Sequence, residues 1–131
     1  MGRSELREHI FKMIFGIEFN DAENLDEQLE LYVDQLVEIE DKDREYMINK
    51  ARAVIGNSAE IDSMINEHIT GWKTTRMNKV DLSILRLAVY EMKWDEDVPV
   101  KVAINEAVEL SKRFSGDEGP AFINGVLGKL I

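Results

Sequence analysis

The residues best suited to chemistry in this sequence are basic, and the chemistry they suit is phosphate binding. Lys73, Arg76 and Lys79 form the densest basic cluster in the chain. Arg3 and Arg7 are four residues apart, so a helix would place both on one face, where two guanidinium groups can hold adjacent phosphates. Two surface arginines at this spacing are also commonly just solvated. Both interpretations of the arginine pair are open at this point.

Sequence motifs of enzymes are missing from this chain. It has no Gly-rich phosphate loop, no nucleophile elbow and no HExxH sequence, and His9 and His68 have no partner at a useful spacing. It has no cysteine, which excludes disulfides and thiolate metal sites and fits a reducing compartment. No apolar run is long enough for a signal peptide or a membrane span. We therefore expect a soluble cytoplasmic protein with no catalytic activity, no cofactor and no membrane partner.

The charge of the chain is unfavourable for a nucleic-acid binder. The net charge is −10, and residues 1–71 contain seven basic and seventeen acidic residues, whereas residues 72–131 contain nine of each. Affinity for nucleic acid comes largely from basic groups that replace counterions on phosphates. Any RNA site must therefore be a local basic patch, and a basic protein partner would be attracted to the first half.

Apolar residues recur at helical spacing along the whole chain, which predicts an all-α protein of about seven helices. We expect two packed helical subdomains, residues 1–71 and 72–131, divided near residues 71–78. The predicted helices cover residues 4–19 with Ser4 as N-cap, 26–40, a stretch after 41–43 that ends at Gly56, a stretch that begins at Ser58, 78–94, 99–115 and a last helix from about Ala121. A turn is expected at residues 20–24.

Three of the predicted helices have faces whose composition indicates a role. The helix at 78–94 is apolar on most sides, so neighbours must cover it and it should be the central helix of its bundle. Phe11, Phe15 and Phe19 form an aromatic edge that we expect to be mostly core, with Phe15 at a partner interface as the alternative. The second helix has an acidic outer face, which is either solvated or a docking site for a basic partner. Its acidic residues are Asp26, Glu27, Glu30, Asp34 and Glu38.

The last two helices carry polar and glycine residues with a structural and a functional interpretation. We expect Asn105 and Asn124 to satisfy backbone groups that would otherwise be buried without a partner, with contact to a ligand as the alternative. Gly125 is expected to allow close helix packing, because glycine costs about 1 kcal/mol relative to alanine inside a helix. Phe122 follows a Gly-rich turn and is the best aromatic candidate for stacking on a base.

Residues 81–131 contain several blocks that carry a family resemblance. They include Pro99, KVAINEAVEL at 101–110, Phe114 and FINGVL at 122–127, preceded by Asp81, ILRLA at 84–88 and Tyr90-Glu91. These blocks and their spacing closely resemble the C-terminal signature of the NusB transcription antitermination factors. The first half of the chain resembles the family only loosely.

This resemblance implies a non-enzymatic RNA-binding function. A NusB-like protein binds boxA-type RNA of nascent ribosomal RNA transcripts together with NusE, a small-subunit ribosomal protein, and joins the antitermination complex on RNA polymerase. For RNA contact we expect Arg3 and Arg7, which stand where the family has arginines, together with Arg76, Lys101 and Phe122. Those that the resemblance assigns to the protein partner are Phe15, where the family usually has a tyrosine, Asp81, and Glu118, where the family often has an aspartate. For Asp81 a structural interpretation is equally open, because a carboxylate near a helix N-terminus is favoured by the helix dipole.

The resemblance also leaves an alternative function. Ser4 and Glu5 stand where the family has further arginines, and the first half is acidic. The chain could therefore be a helical protein-interaction or self-assembly module with weak or lost RNA binding, and some family members form homodimers. NusB-like domains also occur in certain RNA cytosine methyltransferases, but we expect this chain to be a stand-alone factor.

Overall fold

The backbone of the computed structural model is described for residues 1–19, 24–71 and 73–131. Within these ranges it forms seven α-helices, one short 3-10 helix at Thr74–Arg76 and no strand. The α-helices are α1 (Arg3–Ile17), α2 (Leu25–Asp34), α3 (Asp41–Gly56), α4 (Ser58–His68), α5 (Lys79–Trp94), α6 (Val100–Phe114) and α7 (Gly119–Gly128). The predicted all-α fold is confirmed. None of the described helices is long and apolar enough to cross a membrane.

The first unit, Met1–Gly56, is built from α1, α2 and α3, each of which packs against the other two. Each helix turns one apolar stripe inward, as the spacing of three and four residues requires. Its core consists of Leu6, Ile10, Phe11, Met13 and Ile14 from α1, Leu29 and Val33 from α2, and Met47, Ile48, Ala51 and Val54 from α3. Ion pairs join α2 to α3, one between Asp26 and Arg52 and one between Asp34 and Arg44.

The second unit, Asn57–Ile131, is organised around α5. This helix packs against α4, α6 and α7, which confirms the prediction that it is the central helix. It buries residues over most of its circumference, and the helices around it supply the other side of the core. The largest core side chains are Ile61 and Ile65 of α4, Leu82, Ile84, Leu85 and Leu87 of α5, Leu110 of α6, and Ile123 and Leu127 of α7.

The division between the units lies before α4, whereas the sequence indicated one near residues 71–78. The reason is that α4 makes specific polar contacts within the second unit. The Arg86 guanidinium donates from Nε and Nη2 to the two oxygens of Asp62, at 2.9 and 2.7 Å. Asn66 bonds both the hydroxyl and the backbone N–H of Thr74, at 3.2 and 2.9 Å. Periodicity identifies α4 as a helix but does not report which core its apolar side joins.

Several helix ends differ from the prediction for local reasons. Helix α1 begins at Arg3 with Gly2, not Ser4, as N-cap. Helix α2 stops at Asp34 instead of residue 40, because Gln35 and Leu36 already bond three residues back and Glu38 has φ +56. The expected turn at 20–24 lies, except for Asn24, outside the described residues.

Candidate functional site

The second unit contains a cleft of about 540 Å³ at the N-terminal end of α5. It lies between the segment that enters α5 and the connection from α6 to α7. Its lining residues are Met77, Asn78, Asp81, Gly116, Asp117, Glu118, Gly119 and Phe122. Three residues predicted for function, Asp81, Glu118 and Phe122, therefore meet at one place, and we call it the α5 cleft.

The wall of the α5 cleft is fixed by the carboxylate of Asp81. Asn78 caps α5 by accepting the backbone N–H of Asp81 at 2.8 Å, and its side-chain amide donates to Asp81 Oδ2 at 2.9 Å. Ser115, at the C-terminal end of α6, donates its hydroxyl to Asp81 Oδ1 at 2.5 Å. Asp81 is only 7% exposed. Both of its oxygens are thus used inside the unit, so Asp81 ties the end of α6 to the start of α5.

Gly119 brings the start of α7 against the end of α6. A Cβ atom on Gly119 would lie 2.3 Å from Ser115 Cβ and 2.8 Å from Ser111 Oγ, closer than real contacts allow. Its backbone N–H donates to Gly116 O at 2.9 Å, which closes the turn, and Pro120 follows in the first turn of α7. Position 119 therefore requires glycine for α6 and α7 to approach this closely.

Gly125 and the two asparagines do not have the predicted structural roles. A Cβ atom on Gly125 would meet nothing within 4 Å, so no helix packs closely there. Asn105 and Asn124 are both exposed. They lie on the solvent-facing sides of α6 and α7, so they do not satisfy buried backbone groups, and that prediction is wrong. The prediction was made because each asparagine lies on a helix that was expected to pack tightly.

The α5 cleft combines an aromatic ring with charges of both signs. Phe122 is half-buried in the first turn of α7, while Asp117 and Glu118 are exposed on the preceding turn. Arg76 is exposed and directly precedes Met77 of the lining, and Lys79 is exposed in the first turn of α5. A base can stack on such a ring while cations bind its phosphates.

Lys101 lies far from this cleft along α6. It occupies the first turn of that helix, whereas Ser115 at the cleft follows the last turn. A helix of this length spans about 20 Å at 1.5 Å per residue. Lys101 is exposed, but the fold does not bring it together with Arg76 and Phe122.

The arginines of the first unit differ in exposure. Arg3 is exposed at the start of α1, whereas Arg7 is only 5% exposed and already makes contacts within the protein. They are therefore not a matched pair on the surface, although the spacing is helical. Spacing alone could not reveal this difference, because it shows which face of the helix a residue lies on but not how much of its side chain the neighbouring residues cover.

The aromatic edge of α1 emerges gradually from the core. Phe11 is 3% exposed, Phe15 is half-buried, and Phe19, just after the helix, is 65% exposed. The rings contact each other in sequence, with centroids 6.2 Å apart for Phe11 and Phe15 and 5.0 Å apart for Phe15 and Phe19. The expectation that most of this edge is core holds for Phe11 only. Phe19, which was expected to belong to the buried edge, is instead an exposed aromatic residue.

Comparison with known proteins identifies the family. Residues 4–131 match the model of the NusB family. A transcription antitermination protein NusB of Agathobacter rectalis is 54% identical over 129 residues, which cover 98% of each chain. The chain belongs to the NusB family. A second NusB relative, from Lachnoclostridium phytofermentans, is 45% identical over 131 residues that cover 100% of this chain and 99% of the relative.

Solved structures of NusB proteins have the same fold. NusB of T. maritima superimposes with a TM-score of 0.90 at 32% identity, covering 99% of this chain and 90% of that one. A NusB chain crystallised with NusE and double-stranded RNA has a TM-score of 0.85 at 23% identity, covering 98% and 94%. The fold is thus that of NusB proteins, as the C-terminal sequence blocks indicated.

The residues that position this NusB-family cleft were mostly missed in the sequence. Asn78 and Ser115 hold Asp81, and Met77 and Gly119 shape the lining. One signal was available: an Asn three residues before an Asp at a helix start is typical of an N-cap with a reciprocal partner. No such signal existed for Ser115, because its contact with Asp81 spans 34 positions. No group of three or more metal-binding side chains occurs among the described residues.

Proposed function

We propose that this protein is a transcription antitermination factor that binds boxA-type RNA of nascent ribosomal RNA transcripts together with NusE. The observation that carries the proposal is the full-length match at 54% identity to a transcription antitermination protein. The related fold of a NusB chain crystallised with NusE and double-stranded RNA supports the choice of partners. The protein would act in the cytoplasm, within the antitermination complex on RNA polymerase, and without catalysis.

RNA contact is proposed at the α5 cleft and at the start of α1. Phe122 offers a ring for stacking, and Arg76 an exposed cation for a phosphate. Arg3 is the exposed arginine of α1, whereas Arg7 would contribute through the contacts that it already makes in the folded chain. Lys101 would be reached only by RNA that continues along α6.

Contact with the protein partner is proposed at Phe15 and Glu118. Phe15 lies beside the exposed ring of Phe19, and aromatic side chains are common anchors of interfaces. Glu118 and Asp117 give the cleft a negative edge that suits a basic protein. Asp81 would act indirectly, because its oxygens already hold Asn78 and Ser115. The acidic residues weaken RNA binding by the chain alone, so affinity would be supplied jointly by both proteins.

A protein-interaction module with weak RNA binding is the second candidate, and the net charge of −10 favours it. Such a module could pair with itself as a homodimer. The two candidates differ in one respect that can be measured, which is whether RNA binding appears when NusE is added.

The test is a titration of fluorescent boxA RNA with the full chain, alone and with NusE, at two salt concentrations. We expect weak binding alone and tighter binding with NusE. Phe122→Ala should weaken the ternary complex about tenfold or more, as expected for one lost base stack. Arg76→Ala should lower the slope of log affinity against log salt by about one.

The matched control is Lys42→Ala, which removes an exposed lysine that pairs only loosely with Glu40, at 3.5 Å. It should leave RNA affinity unchanged. Lys101→Ala reports whether RNA extends along α6. If NusE binds but RNA does not at either salt concentration, the interaction module is correct. If Lys42→Ala weakens RNA binding as much as Arg76→Ala, the α5 cleft is not the RNA site.

A further inference from the structure

The first unit has a groove of its own, between α1 and α2, which we call the α1–α2 groove. It has a volume of about 230 Å³, and its apolar lining includes Met13 and Ile17 of α1 and Leu31 of α2. Gly16, which has no side chain, also lines the groove on the α1 side. Small-molecule sites are usually about 300 to 1,000 Å³, so this groove suits one or two anchoring side chains rather than a whole ligand.

Two of the polar side chains that line the groove, Lys12 and Tyr32, are already paired inside the unit, and Gln28 and Gln35 are its other polar residues. Lys12 Nζ bonds Glu8 Oε2 at 3.0 Å, one turn earlier on α1. The Tyr32 hydroxyl bonds His9 Nδ1 at 2.8 Å, and the two rings meet edge to face with centroids 5.8 Å apart. Beside these paired groups and the amides of Gln28 and Gln35, the groove offers a partner the apolar side chains of Met13, Ile17 and Leu31. Leu31 is 55% exposed at its rim, which is unusual for a leucine on a short amphipathic helix.

The rim of the groove is acidic. Glu27 precedes Leu31 by four residues and shares its face of α2; Asp34 follows Leu31 by three on the same face, but its charge is paired with Arg44. Glu27 and Glu30 are exposed, and the arginines opposite them on α3, Arg44 and Arg52, are used in ion pairs with Asp34 and Asp26. Residues 1–56 contain fourteen acidic and seven basic residues. An apolar anchor within a negative rim selects a partner with the opposite pattern.

We propose that the α1–α2 groove is a docking site for a basic amphipathic helix of a protein partner, with Leu31 as its apolar anchor and the acidic face of α2 as its charge complement. Helix-in-groove recognition places an apolar stripe between two helices and flanking charges on the rim. RNA does not fit, because phosphates would face carboxylates. A second copy does not fit either, since it would bring the same acidic rim against this one. The groove is separate from the contacts proposed at the α5 cleft, and its lining does not include Phe15, the α1 residue proposed for NusE, although Phe15 directly precedes Gly16 of the lining.

The test uses the full isotope-labelled chain and two synthetic peptides of equal length. Both have leucine at positions i, i+3, i+4 and i+7; one has lysine and the other glutamate at the remaining positions. Chemical-shift mapping and fluorescence anisotropy give the site and the affinity. We expect the lysine peptide to perturb the amides of Met13, Gly16, Leu31 and Tyr32, and to bind more weakly at higher salt, whereas the glutamate peptide does not bind.

Substitutions separate docking from general attraction to an acidic protein. Leu31→Glu adds a negative charge, so general attraction would strengthen lysine-peptide binding, whereas loss of the anchor should weaken it about tenfold or more. Val37→Glu is the matched control, because Val37 is 84% exposed and does not line the groove. It should leave affinity unchanged or slightly higher. Neither side chain is buried, so both variants should fold.

Three results would overturn the proposal. The first is lysine-peptide binding that Leu31→Glu leaves equal or stronger. The second is a shift map centred on another surface, including the second unit. The third is peptide-independent association of the chain that Leu31→Glu abolishes, which would make the groove a dimer contact. Binding of boxA RNA with NusE should be the same in Leu31→Glu and the unaltered chain, so failure here leaves the RNA function untouched.

Discussion

The α5 cleft and the α1–α2 groove are shaped by different forces. The cleft is held by hydrogen bonds between distant segments, from Ser115 and Asn78 to Asp81, and by the close approach at Gly119. The groove is a space between two helices in which Lys12 and Tyr32 are paired locally, with Glu8 and His9. In the cleft, Asp81 was predicted to contact a partner but has a structural role. In the groove, Leu31 was not predicted to have a function but is exposed to a partner.

The strongest way to break this comparison is to disturb the cleft at Gly119. Gly119→Ala puts a methyl group where Ser115 Cβ would be 2.3 Å away, and that atom is attached directly to the backbone and cannot rotate aside. We expect a loss of about 3 kcal/mol in the free energy of unfolding, at the upper end of overpacking costs. Urea denaturation measures it.

Gly125→Ala is the matched control on the same helix. A Cβ atom there meets nothing within 4 Å, so alanine should stabilise the protein by up to about 1 kcal/mol through helix propensity. If both variants change stability by similar amounts in the same direction, the close contact at Gly119 does not shape the cleft.

Asp81 gives the next largest effect. Asp81→Ala removes the acceptor for Ser115 and Asn78 and leaves the Ser115 hydroxyl without this partner, which should cost about 2 kcal/mol. Asp117→Ala, an exposed acid of the same cleft, should change the free energy of unfolding by less than about 0.5 kcal/mol. Equal effects in urea denaturation would mean that Asp81 does not hold the cleft, and its direct contact with a partner would become the better explanation.

The interhelical ion pairs sharpen the comparison between the two units. Asp62 and Arg86 in the second unit bond at two points, with side chains 22% and 13% exposed, whereas Asp26 and Arg52 in the first are 66% and 44% exposed. Double-mutant cycles to alanine should give a coupling of about 1 to 2 kcal/mol for the former and below about 0.5 kcal/mol for the latter. A larger value for the exposed pair would contradict the view that α2 and α3 are held mainly by apolar packing.

Local signals predicted much of the fold. Helical spacing gave all seven helices and the central position of α5, and the sequence GDEGP correctly marked the junction before α7. Local signals could not predict where α2 ends, because the residue with left-handed backbone after it is Glu38 and not a glycine. Nor could they assign α4 to the second unit, which depends on the contact between Asp62 and Arg86.

The sequence predicted individual residues of the candidate site but not that they lie close together. Asp81, Glu118 and Phe122 were named individually, and the fold brings them together at one cleft. Their neighbours Ser115 and Met77 gave no signal, since contacts between distant segments leave no trace in spacing. The acidic face of α2 was recognised in the sequence, but the exposed Leu31 beside it was not, because a leucine in a helical pattern is usually core.

The smallest predicted effect concerns the wall of the α1–α2 groove. Burial raises the pKa of Tyr32, and the negative charge of Glu8 adds to the shift. The unfolded chain therefore loses this proton at a lower pH than the folded chain, so the contribution of Tyr32 is complete below about pH 10 and is lost as pH rises through the folded pKa.

Tyr32→Phe should lower stability by about 1 kcal/mol near neutral pH, by removing the bond to His9, and by progressively less at alkaline pH. Urea denaturation of both proteins from pH 8 to 11 measures the difference, and Glu8→Gln should reduce its pH dependence. A difference that stays constant or grows with pH would mean that the Tyr32 hydroxyl is not held neutral by burial, and that the groove wall is wetter than its paired polar groups imply.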